Sequence, residues 1–197
     1  MSFNLLEAAV QIPLTKDLLN RVDNFQCGDK DLDDFFHNDA LLYEKEFLGK
    51  SYCWLSKEGL EILAIVTLSY NGIHLERVNN PSRNSFQRKI PNNKRRLSYP
   101  AVLIGRLGVN SKFQGLGMNI GSQIIDFLKL WFISSSNKAA CRFLIVDAYN
   151  NENTLGFYQK NGFRFVYKTI EDEKESYGIP VEEELKSRVL YFDLKSL

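Results

Sequence analysis

Three cysteines among 197 residues are too few, too far apart and odd in number for a disulfide framework, and Cys27, Cys53 and Cys141 lack the paired spacing of a metal-binding knuckle. They read as reduced thiols that serve as small buried hydrophobes in a reducing compartment. Net charge is almost absent: 25 Lys plus Arg against 24 Asp plus Glu leave +1, so the whole molecule is no basic clamp for nucleic acid and any such role is local. No apolar run reaches the ~20 residues needed to span a bilayer, and "MSFNLLEAAVQIPLTKDLL" lacks a basic start followed by a long apolar stretch. A cytoplasmic protein with no membrane role is expected. Internal repeats and low-complexity tracts are missing as well.

What is present is enough for a core. Hydrophobic residues make up 44% and charged residues 25%, which suits one globular domain over residues 1–197. In "CGDKDLDDFFHNDALLYEKEF", Leu32, Phe35, Phe36, Ala40, Tyr43 and Phe47 fall near one face of a helix, with Asp29 and Asp31 as caps at its start. "SYCWLSKEGLEILAIVTLSY" reads as two strands around a turn at Lys57-Glu58-Gly59. From Asn71 to Pro100 the chain has few apolar residues and three prolines, and it carries Arg83, Arg88, Lys89, Lys94, Arg95 and Arg96. It reads as a long basic connection.

The next run, "AVLIGRLGV", suits a strand buried on both faces, and "CRFLIVDAY" repeats the pattern after a helix. Two such strands joined through a helix form a parallel crossover. The tail holds a short helix "NTLGFYQKNGF", a strand candidate "RFVYKTI", an acidic stretch "EDEKES" and a last strand "SRVLYFDL". The expected fold class is α/β or α+β, with a mixed central sheet.

Between the first buried strand and its helix lies a Gly-rich hinge, Gln114-Gly115-Leu116-Gly117-Met118-Asn119. Helix N-termini carry N–H groups without intrahelical partners, and glycines let a diphosphate approach them closely. Ile120, Ile124, Phe127, Leu128 and Trp131 then give the helix an apolar face that fixes its aim. Neither familiar phosphate loop is matched: there is no Gly-Lys-Ser/Thr ending and no three-glycine dinucleotide fingerprint.

A second segment completes a pattern: Asn151-Glu152-Asn153-Thr154-Leu155-Gly156-Phe157-Tyr158, then Gly162-Phe163. Together the two segments resemble the GNAT superfamily of acyl-CoA-dependent N-acetyltransferases, in which a Gln/Arg-x-x-Gly-x-Gly/Ala loop follows the fourth strand and an Asn-x-x-Ala-x-x-Phe-Tyr-x-x-x-Gly-Phe segment follows the fifth. Asn119 stands where that loop has Gly or Ala, and Thr154 where the segment has Ala. With "FQCGDKDLDDFF" near the start and "PAVLIGRLGV" after the basic connection, the chain looks similar to the branch containing toxins that acetylate aminoacyl-tRNA. The segment Lys168 to Arg188 is longer than in those compact toxins.

The resemblance implies a GNAT-like mixed sheet with helices on both faces and acetyl-CoA as co-substrate. It implies coenzyme contacts from Leu107, Gly108, Val109, Gln114, Gly115, Leu116, Gly117, Met118 and Asn119, with Asn151 on the pantetheine arm. Tyr158 would be the general acid for the departing thiolate; as residues alone, without that resemblance, the Phe157-Tyr158 pair reads as core packing. His37 and His74 read as structural, no base is selected among Glu44, Glu46 and Glu76, and no metal site is expected.

For partners, the Arg83 to Arg96 segment either contacts tRNA phosphates or is a solvated loop. An antitoxin and a homodimer are further expectations from the resemblance. Other acceptors stay open: a protein N-terminus, lysine or a small amine, as does a non-catalytic interaction module.

Overall fold

The computed structural model describes residues 3–21, 25–58, 61–76, 78–91 and 94–197. The chain divides into two compact units, Met1–Ser69 with Ile104–Leu130 and Tyr70–Leu103 with Trp131–Leu197. Gly59, the expected turn glycine, lies outside the described residues.

The first unit starts with α1 (Leu5–Ala8), β1 (Ala9–Pro13) and α2 (Lys16–Arg21). Next come α3 (Lys30–Asp34), a π-helical turn over Phe35–Asp39, α4 (Ala40–Lys45) and β2 (Lys50–Ser56). Asp29 is the cap foreseen, its carboxylate accepting from the N–H groups of Asp31 (3.0 Å) and Leu32 (3.2 Å). Phe35, Phe36 and Ala40 turn inward as the period requires. Phe47 does not: it follows the helix in a left-handed conformation (φ 56°) and is 96% exposed. The expected hairpin is present, β2 pairing antiparallel with β3 (Ile62–His74) from Lys50↔Leu68 to Leu55↔Ile62. β1, which has no counterpart in the sequence reading, adds an edge strand against β2.

Phe25, Cys27, Phe35, Phe36, Cys53, Ile62 and Ile65 form this unit's core. Each large side chain fully withdrawn from water contributes roughly 1.5–3 kcal/mol. Trp54 is also fully buried, edge-on to Phe127 at 5.6 Å.

The second unit corrects the expected long connection. β3 runs on to His74, α5 (Asn80–Gln87) follows with Asn79 as its cap, and β4 (Ser98–Val109) begins at Ser98. A few apolar residues order this polar stretch: Ile73, Leu75, Val78, Phe86, Ile90 and Tyr99 enter a core with Phe143 and Tyr191. The crossover is as expected, with β4 running through α6 (Ile120–Ile133) to β5 (Phe143–Tyr149) and pairing with it in parallel over Ala101–Leu103.

Further on lie α7 (Glu152–Lys160), β6 (Arg164–Phe165), α8 (Ile170–Tyr177) and β7 (Ser187–Asp193). The strand expected over "RFVYKTI" shrinks to two residues. The acidic stretch is a helix, because Thr169 caps its first turn, carboxylates favour that end and Gly178 closes it in a left-handed conformation. The seven strands form one mixed sheet in the order β1-β2-β3-β4-β5-β7-β6. Among the described residues no helix is long and apolar enough to cross a membrane.

Candidate active site

In the first unit the Gly-rich hinge is anchored at its base and open above. Asn110 is buried, donating to the Ile62 carbonyl (3.0 Å) and capping the 3₁₀ turn Ser111–Phe113 through the Lys112 N–H (3.1 Å). Gln114 follows. Its side-chain amide donates to the carbonyls of Val109 (2.7 Å) and Cys27 (2.8 Å), tying the hinge to the strand before it and to the N-terminal segment. This glutamine is a strut.

Beyond it, Gly115 (φ 72°), Gly117 (φ 71°) and Asn119 (φ 51°) all take the left-handed conformation. Glycine adopts it without strain and asparagine tolerates it better than most residues, so Asn119 keeps the loop's shape without a third glycine. A methyl group at Gly115 or Gly117 would meet no protein atom within 4 Å. Packing therefore does not explain these glycines. The Asn119 carbonyl accepts the first helical bond from Gln123 (3.1 Å), and the Gln123 amide donates back to the Met118 carbonyl (2.8 Å). Among the described residues, the backbone N–H groups from Gly115 to Ser122 donate no hydrogen bond. They form a row of unused donors at the positive end of a 14-residue helix. Ile120, Ile124 and Leu128 are buried as expected, together with Ile125.

Gly108 is a glycine for the opposite reason. A methyl group there would come within 2.9 Å of the Phe36 ring and 3.1 Å of Cys27. Leu107, Gly108 and Val109 lie past the β4–β5 ladder, which ends at Leu103. One face of the strand at Gly108 is thus sealed by Phe36 and Cys27.

In the second unit Asn151 caps α7, its carbonyl oxygen accepting from the Thr154 N–H (2.9 Å). The side-chain amide remains available. Tyr158 is 7% exposed, between Phe157 (ring centroids 5.0 Å) and Phe163 (5.4 Å). Burial pushes its phenol upward, so at neutral pH it holds its proton. His37 is satisfied by the Phe25 carbonyl at 2.8 Å, in keeping with a structural role.

The second unit also holds a cavity of about 680 Å³ that sequence reasoning missed. Leu103, Ile145, Val166 and Val189 give it apolar walls, while Glu76 and Asp147 line it with carboxylates. His74 lies 3.9 Å from Glu76. Burial first, then the Tyr167 phenol and the carboxylates of Glu173 and Asp147, push the Tyr177 phenol up. Asp147 had a visible signal: it is the one charge inside the apolar run "FLIVDAY".

No family model and no curated protein matches the sequence. Solved structures do. A variant of KacT with tyrosine replaced by phenylalanine matches at TM-score 0.63 and 21% identity, over 96% of both chains. AtaT complexed with acetyl-methionyl-tRNAfMet matches at 0.63 and 23%, over 95% of this chain and 96% of that one. AtaTR bound with AcCoA matches at 0.59 and 19%, over 96% of each. The fold is the GNAT fold. In this chain the hinge precedes α6 and the Asn151 cap starts α7.

Proposed function

We propose that the chain is an acetyl-CoA-dependent N-acetyltransferase whose acceptor is the α-amino group of an aminoacyl-tRNA. The observation that carries the reading is the row of unused N–H donors from Gly115 to Ser122, with open space rather than protein atoms beside Gly115 and Gly117. A diphosphate fits that donor set: it is anionic, it offers many acceptor oxygens, and it meets no side chain at Gly115 or Gly117. Bound acetyl-CoA supplies the activated acetyl thioester.

The chain's own residues do the rest. The hinge holds the coenzyme's phosphates while Gln114 keeps the loop in place. Within Leu107, Gly108 and Val109, the backbone N–H groups on the strand edge away from β3 polarise the acetyl carbonyl. The Asn151 side-chain amide orients the pantetheine arm. Tyr158 delivers a proton to the departing sulfur, a role that suits a phenol kept protonated by burial. Support for the acceptor comes from the similarity to AtaT in complex with an acetylated aminoacyl-tRNA and from Arg88, Lys89, Lys94, Arg95 and Arg96, all exposed. These cations would neutralise acceptor-stem phosphates, and binding would weaken steeply with salt. An antitoxin is proposed as a protein partner on the same similarity, since AtaT was also solved bound to the C-terminus of AtaR.

The test is transfer of labelled acetyl from acetyl-CoA to charged tRNA, with uncharged tRNA and peptides as controls. Label appearing on the aminoacyl group of charged tRNA is expected. Label on peptides alone would move the acceptor to protein amines, and no transfer to anything would leave a coenzyme-binding module.

A further inference from the structure

We propose that the cavity in the second unit is the acceptor pocket and that it takes an aminoacyl group whose side chain is a cation on an aliphatic stem, an ammonium or guanidinium such as lysine or arginine carries. This inference rests on the transferase reading and adds the substrate class to it. The volume, about 680 Å³, is within the range of small-molecule sites and ample for one amino-acid residue.

The wall chemistry divides in two. Leu103, Ile145, Val166 and Val189 present hydrocarbon, and Glu76 and Asp147 present carboxylates. An amphipathic side chain with methylenes ending in a charge matches such a wall, since its stem covers apolar surface while its head stays among polar groups.

The charge balance points the same way. Among the described residues the lining contains no lysine or arginine. Arg188, on the strand β7 beside β5, is buried and committed to the Glu173 carboxylate and the Tyr167 carbonyl (3.4 Å). The Glu76 carboxylate has His74 as a neighbour at 3.9 Å. Asp147 has no hydrogen bond and no ion pair among the described residues. An anion inside the pocket would meet two carboxylates and no available cation, whereas a cation would meet Asp147 at once.

The arrangement also separates the two amines of a lysyl group. An ammonium held beside Asp147 keeps its proton and is no nucleophile. The α-amino group of an aminoacyl ester is left to attack the thioester carbon. The new bond is N–C, the bond broken is C–S, the sulfur takes the proton from Tyr158, and the amine's surplus proton goes to water, from which the Tyr158 phenolate is reprotonated. Asp147 lies on β5, the strand that leads directly into Asn151 and the Tyr158 helix. Substrate recognition and proton supply would then share one strand-to-helix element.

The experiment uses the full chain and one tRNA acylated either with lysine or with norleucine, which has the same stem without the ammonium. For the wild type, kcat/KM is expected to be about ten-fold higher for the lysyl form, the acetyl group residing on the α-amine. In Asp147→Asn the ratio should fall to near one. Equal rates for the two forms, a ratio untouched by the substitution, or acetyl on the side-chain amine would each overturn the proposal. A second readout is independent of turnover: lysinamide should shift the NMR signals of residues 145–147 and norleucinamide should do so far more weakly. Absence of transfer to either tRNA would refute the transferase reading. With transfer absent, equal shifts from the two amides, or none, would still overturn the cation pocket.

Discussion

The hinge before α6 and the start of α7 hold the two halves of the same sequence resemblance, yet they are built in opposite ways. In the hinge the backbone is bare: Gly115 and Gly117 face open space, the N–H groups are unused, and the one long polar side chain at its base, Gln114, is spent on holding the loop in place. At α7 the backbone is closed off by the Asn151 cap, and Tyr158, the proposed acid, is buried between two rings. Charge is handled by peptide groups at one place and by a side chain at the other. Substitutions should therefore act through main-chain conformation in the hinge and through side-chain chemistry in α7.

The largest effect is expected from Tyr158→Phe. Losing a general acid lowers turnover by about 100-fold or more, while coenzyme affinity and melting temperature barely move because the ring packing is kept. Steady-state kinetics beside a thermal melt decide this. Full turnover would return Tyr158 to the core.

Next, Gly108→Ala should destabilise the chain by about 1–3 kcal/mol, because the methyl group meets Phe36 at 2.9 Å in a filled core. Gly117→Ala, with open space around it, should cost only about 1–2 kcal/mol through its positive φ. Urea titrations separate the two. Gln114→Ala removes two hydrogen bonds at the foot of the hinge and is expected to cost about 1–2 kcal/mol, with a loss of coenzyme affinity on top.

Asn151 caps α7 and, in the proposed mechanism, also orients the pantetheine arm; two variants split the two roles. Asn151→Ala should lose about 1 kcal/mol with the cap. Asn151→Asp keeps the cap and removes the amide donor, so its stability should hold while its KM for acetyl-CoA rises.

A control on the closed side is the smallest effect. Burial pushes the Cys53 thiol from 9.0 up to about 12, so the unfolded chain releases this proton first. Stability then falls as pH rises between those values, by about 0.4 kcal/mol already at pH 9. In Cys53→Ala that part of the decline should vanish from pH-dependent melts.

Much of this was legible in the sequence because period and punctuation are local. Asp29 could be placed as a cap, the hairpin and the crossover as units, and the hinge as a break between two periods. What escaped depended on contacts distant in sequence. Val78, Phe86 and Ile90 help order a polar stretch by meeting Phe143 and Tyr191, and Phe47 leaves its helix in a left-handed conformation on the way to β2. The acidic helix α8 hid because charge suggested solvent, although Glu173 is buried against Arg188 and the Val189 N–H. At the site, glycines announced the hinge. Asp147 and Glu76, 71 positions apart, could be joined only by the fold.

The central claim, that the bare hinge receives the coenzyme's diphosphate, is tested most directly by calorimetry with acetyl-CoA and with S-acetylpantetheine, which lacks the phosphates. The wild type should bind the intact coenzyme far more tightly, and Gly117→Val should weaken acetyl-CoA towards the truncated ligand while leaving the truncated ligand's affinity as it was. Equal affinity for the two ligands in the wild type, or an unchanged gap in Gly117→Val, would contradict it.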